Sequence, residues 1–182
     1  GCTIPPFSVQ SEDDFVNMVK AIGAATEQGL RDALTCQPDH VIFGYSAETF
    51  WDGKERSDRE FRKYNDIAQA VGGCNITFGA QAILDALACY PHVRRLGVIT
   101  PYMPVGDRQV VKSLGDIGYE VVHIDGPRSD SPLTIAHASP ATTCELARAL
   151  SCDAVHAILH AGPSLTSCAL TSSLYSSPST PR

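Results

Sequence analysis

The sequence has no apolar run of the roughly 18 residues that a membrane-crossing helix requires. It has no cluster of Lys and Arg, and its formal net charge is −6. Nucleic acid is therefore not an expected partner, because phosphate recognition rests on a basic face. There is no C-x-x-C pair among the seven cysteines, so the spacing of a zinc site or a thioredoxin-type redox motif is missing. No two histidines stand at the helical spacing of metal ligands, and no metal or cofactor is called for. G-x-G-x-x-G, Walker A and G-x-S-x-G motifs are all absent, which leaves dinucleotide, nucleoside-triphosphate and α/β-hydrolase chemistry without support. A charged n-region followed by an apolar h-region is also lacking, and the chain opens on Gly1.

What is present suits a globular core. The chain has 182 residues, 43% of them hydrophobic and 19% charged, enough for one domain or two small ones. The cysteines are scattered and odd in number, which fits free thiols in a reducing compartment, the cytoplasm. Most are expected as small buried core residues.

Helical and extended patterns alternate along the chain. Ser11 caps a helix with acids in its first turn and Phe15, Val19, Ile22, Leu30 and Leu34 on one face; it ends near Cys36, ahead of Pro38. Val41 to Phe43 is a short strand, and residues 44–55 form a loop with Gly44 and Gly53 near its ends. Ser57-Asp58-Arg59-Glu60 reads as a capping box for a helix closed by Gly72-Gly73. Asn75–Phe78 is a strand, Gly79–Tyr90 a helix, Leu96–Ile99 a strand, Val105–Ile117 a helix and Tyr119–Ile124 a strand. Residues 125–138 form a loop. Ser139 caps a helix with Pro140 at its first position, running to Leu150, and Val155–Leu159 is the last strand. This order predicts an α/β fold, a parallel sheet with helices on both faces. The expected division is a first α/β half over 1–92, a second over 93–162, and a Ser/Thr/Pro-rich tail over 163–182. The tail lacks the periodicity to bury a face and is expected to be disordered or non-native. The pair of halves is expected to be incomplete at both termini.

Ligands of open α/β sheets sit at the carboxyl ends of the strands. Three strand ends carry suitable groups. Gly44-Tyr45-Ser46 offers backbone N–H groups and a hydroxyl for a carboxylate, or is a tight turn with a solvated Ser. Thr100-Pro101-Tyr102 offers a hydroxyl and a phenol that can donate to an oxyanion, or a core Tyr with its OH at the rim. His160-Ala161-Gly162 offers an imidazole as acid or base near neutral pH, or a plain polar edge residue. Trp51, in the loop after the first strand, either lids the pocket or packs the loop.

Together these strand ends resemble the aspartate/glutamate racemase superfamily, and within it the maleate cis-trans isomerase and arylmalonate decarboxylase group. The resemblance is carried by Val41-Ile42-Phe43-Gly44-Tyr45-Ser46, by Arg95 to Tyr102 with Asp107 on the next helix, and by Ala157-Ile158-Leu159-His160-Ala161-Gly162. It implies Rossmann-like or flavodoxin-like halves around a carboxylate pocket. It also implies a cofactor-independent isomerase or carbon–carbon lyase acting on a small carboxylate or dicarboxylate. Gly44, Tyr45, Ser46, Thr100, Tyr102 and Gly162 would bind substrate. The family's two cysteine positions fall on Gly44 and Gly162, so Tyr102 and His160 become the catalytic candidates. The alternative is a catalytically inactive carboxylate-binding relative or an incomplete gene product. Self-association into a homo-oligomer is left open.

Overall fold

The computed structural model describes residues 8–44 and 47–162. Helix α1 (Glu12–Leu34) starts where Ser11 closes a capping box. Its hydroxyl accepts from the Asp14 N–H while the Asp14 carboxylate accepts from the Ser11 N–H. Chain order then runs β1 (His40–Phe43), a 3-10 turn (Glu48–Phe50), α2 (Gly53–Gly72), β2 (Asn75–Phe78), α3 (Gly79–Ala88) and β3 (Arg95–Ile99). It continues through α4 (Pro104–Asp116), β4 (Glu120–Asp125), α5 (Pro132–Ala136), α6 (Pro140–Leu150) and β5 (Ala157–His160). Among the described residues all strand pairs are parallel, in two sheets. One holds β1 and β2; the other has the order β4-β3-β5. The fold is thus α/β.

The two larger of three core clusters among the described residues follow from the two sheets; the third, smaller one joins Ile99 to Ala147 and Leu150 of α6. The first is aromatic: Phe43, Tyr64 and Phe78 pack with Leu30, Leu34 and Ala68, and Phe43 and Phe78 lie 4.6 Å apart between ring centroids. The second is largely aliphatic and surrounds β3, where Leu96 and Val98 are fully buried as expected of a central parallel strand. Each such side chain contributes about 1.5–3 kcal/mol by leaving water. Helix α1 serves both cores, giving Phe15, Met18 and Val19 to the second and Leu30 and Leu34 to the first.

Three expectations are corrected. Helix α2 begins at Gly53, not after Ser57. Its start is held from outside by Gln109, which accepts the Asp52 N–H at 2.9 Å, and along the helix Lys54 pairs with Asp58 and Arg56 with Asp52 and Glu60. Residues 125–138 contain α5, capped by Ser131 with Thr134 as its reciprocal partner in place of the usual Glu or Gln. The cysteines are not mostly core. Of the five described, Cys74 alone is buried, Cys144 is intermediate, and Cys36, Cys89 and Cys152 are exposed at or beyond helix ends. Cys2, Cys168, the Tyr45-Ser46 pair and the 163–182 tail lie outside the described residues. No helix among the described residues is long and apolar enough to cross a membrane.

Candidate functional site at the carboxyl ends of the strands

The three-stranded sheet brings its strand ends level. Ile99 of β3 is in register with Asp125 on one side and His160 on the other. The ladder continues one step further, with the Thr100 N–H donating to the Asp125 carbonyl at 3.0 Å and the Ala161 N–H to the Ile99 carbonyl at 2.8 Å. Ile99, Asp125 and His160 therefore lie side by side, with Thr100 and Ala161 one residue further on. Tyr102 and Ala161 share a core cluster with Ala47, the first described residue after Tyr45 and Ser46. That cluster joins the loop after β1 to the ends of β3 and β5. Gly162 is buried, whereas Gly44 is exposed and a Cβ there would meet nothing within 4 Å.

The Thr-Pro-Tyr loop is built rigidly. Tyr102 is 3% exposed; its ring stands 5.8 Å from that of Phe15, tilted by 54°. Helix α4 passes so close that a Cβ on Gly106 would lie 2.7 Å from the Tyr102 Cβ, which is why glycine stands there. Asp107, also buried in the first turn of α4, ties the loop together. One carboxylate oxygen accepts from the Thr100 hydroxyl and the other from Nη1 of Arg128, which also donates to the Tyr102 carbonyl at 3.0 Å. The hydroxyl proton of Thr100, predicted as a substrate ligand, is thus committed to Asp107. The loop after β4 presses on the same segment. The Ser129 N–H donates to the Pro101 carbonyl at 3.0 Å, and a Cβ on Gly126 would collide with the Thr100 carbonyl oxygen.

His160 is half-buried, and its Nε2 is buried with no hydrogen-bond partner among the described residues. Burial disfavours the charged ring and lowers its pKa below the usual histidine value, favouring the neutral form. Trp51 is a packing residue, 6.1 Å from the Phe15 ring and set against the second core. Among the described residues no group of three or more His, Cys, Asp or Glu side chains converges as a metal would need.

Two polar groups were missed from sequence. Arg128 follows an Asp-Gly-Pro turn, and nothing local shows that it reaches back to Tyr102. Glu48, in the 3-10 turn, lines a cleft of about 350 Å³ open to solvent, with Gly23, Thr26, Arg56, Ser57, Glu60 and Phe78. Its Oε1 has no hydrogen-bond partner among the described residues, and burial raises its pKa to about 7. Its best clue was its place between the strand-end loop and buried Thr49 and Phe50.

The sequence matches no protein-family model and no curated protein. Solved structures do match. A Nocardia farcinica maleate cis-trans isomerase variant carrying a covalently bound succinylcysteine intermediate superposes with a TM-score of 0.81 at 16% identity. The match covers 93% of this chain and 67% of that one. The chain shares its fold with the maleate isomerases. A Pseudomonas putida maleate isomerase variant solved with maleate gives a TM-score of 0.81 at 15% identity, over 92% of this chain and 66% of that protein. Unliganded arylmalonate decarboxylase gives 0.66 at 16%, over 81% and 63%. The chain therefore spans about two thirds of the length of these maleate isomerase-fold proteins.

Proposed function

We propose that this chain binds a small dicarboxylate at the carboxyl ends of its strands and acts on it without a cofactor, as an isomerase or decarboxylase. The observation that carries this reading is His160. Its buried Nε2, without a partner among the described residues, belongs to the strand end paired with Ile99, the residue before the Thr-Pro-Tyr loop, in a fold that holds maleate in the Pseudomonas putida protein. Backbone N–H groups at Gly44, Tyr45, Ser46 and Gly162 would cradle one carboxylate, and the Tyr102 phenol would donate to the oxygen on which charge develops. For decarboxylation, the bond to the departing carboxylate breaks and its electron pair passes into the retained carboxylate as an enediolate. A proton then returns to carbon from His160. The neutral ring would gain that proton when a dianion sits beside it, since a nearby negative charge opposes the effect of burial.

A second reading, a carboxylate-binding protein without turnover, is favoured by where the thiols lie. Gly44 and Gly162 carry no sulfur. Among the described residues, Cys36, Cys74, Cys89 and Cys152 stand in connections leading into strands, at the opposite ends from this site; Cys144, in α6, is the exception.

A melt of the chain with maleate, malonate and phenylmalonate tests binding. A ligand at 100 times its Kd adds about 2.7 kcal/mol of stability, and no shift with any of them removes the dicarboxylate reading. Proton NMR of the same mixtures separates the two readings by turnover. His160→Asn is expected to abolish turnover while leaving the ligand shift. A variant that turns over at the parent rate removes His160 from the chemistry.

A further inference from the structure

We infer that Arg128 is the residue that recognises the second carboxylate, selecting a dicarboxylate over a monocarboxylate at the site proposed above, on whose reading this rests. The guanidinium is fixed before any ligand arrives. Nη1 is spent on Asp107 and on the Tyr102 carbonyl. The residue's backbone is left-handed, with φ +51°, a conformation that costs a non-glycine residue energy and is retained where surroundings enforce it. Those surroundings are the contacts of Gly126 on Thr100 and of Ser129 on Pro101. An arginine carries five N–H donors in a planar fork. Nε and Nη2 make no hydrogen bond among the described residues, and the side chain is 40% exposed. One edge of the fork is thus held by the protein, and the other remains for an oxygen pair of matching geometry.

Other cations nearby in sequence are placed or occupied differently. Arg94 and Arg95 stand at the opposite end of β3. On α4, Arg108 pairs with Glu12 and Lys112 with Asp116. Because Asp107 balances the charge of Arg128, recognition rests on the paired hydrogen bonds more than on net charge. One or two such bonds to a charged group correspond to about tenfold to a hundredfold in affinity.

The test is calorimetric titration of the full chain with maleate and with isocrotonate, which carries a methyl group in place of one carboxylate. The parent protein is expected to prefer maleate by at least about tenfold. Arg128→Gln is expected to bring the two within about twofold by weakening maleate alone, with Arg128→Lys between. A general loss of structure would weaken both ligands together, so the ratio reports recognition. If Arg128→Gln does not melt cooperatively, the double variant Asp107→Asn, Arg128→Gln removes the stranded charge and takes its place. A variant that keeps the parent's preference overturns this inference and leaves the dicarboxylate reading standing. A parent that binds both ligands equally overturns the inference as well; a parent that binds neither overturns both.

Discussion

Two carboxylates, one over each sheet, show how partners decide the state of a buried group. Asp107, beside β3, is 6% exposed and has both oxygens engaged by Thr100 and Arg128. Glu48, beyond β1, has one buried oxygen with no partner among the described residues and a pKa raised to about 7. Arg56 is close enough to oppose that rise, yet it is shared with Asp52 at 3.2 Å and Glu60 at 3.8 Å. A buried carboxylate with donors of its own stays in place and organises a loop. One that burial strips of water, with only its own backbone N–H and a shared arginine to oppose the loss, is pushed towards its neutral form.

The contrast is broken most severely at Asp107. Replacement by alanine removes two charge-assisted hydrogen bonds and strands the Thr100 hydroxyl in the core. We expect a loss of roughly 4 kcal/mol in urea unfolding; a loss below about 1 kcal/mol would show that the network is ornamental. Glu48→Gln sharpens the contrast through pH. The folded pKa of Glu48 lies above the unfolded value, so its stabilising protonation is fully present below about pH 4.5 and is lost as pH rises through about 7. The variant, permanently neutral, should exceed the parent by roughly 3 kcal/mol at pH 8 and match it near pH 4.5. Gly126→Ala forces a Cβ onto the Thr100 carbonyl and should cost about 2 kcal/mol, visible as a lower Tm. The smallest effect is expected for Arg108→Ala. It breaks an exposed pair with Glu12 at 2.8 Å and should change stability by less than about 1 kcal/mol, less still at high salt.

What was legible in the sequence was whatever local chemistry decides. Ser11 and Ser139 marked helix starts because capping uses residues three positions apart. Leu96, Val98 and Ile99 marked a strand because a central parallel strand is apolar on both faces. The Thr-Pro-Tyr loop and His160 were singled out because they stand at strand ends, and the register of β3 with β5 pairs His160 with Ile99, the residue before that loop. What local chemistry does not decide stayed hidden. The start of α2 depends on Gln109, far along the chain. The work of Arg128 depends on Tyr102 and Asp107, and the burial of Glu48 depends on α1 and α2 crossing over it. Thr100 was read as a ligand group because nothing in the sequence shows that Asp107, in the first turn of α4, takes its hydroxyl proton.

The strand order β4-β3-β5 also sets a sequence of assembly. β3 and β4 are joined through α4 alone, whereas β5 reaches β3 only after β4, α5 and α6 have been made. Closing the shorter loop costs less entropy, so the β3-α4-β4 unit, with Thr100, Asp107 and Arg128 assembled around Tyr102, is favoured to form before β5 docks. His160 arrives with β5, the last strand among the described residues. During synthesis the residues proposed to recognise the ligand would be in place while the proposed acid–base group was still unfolded.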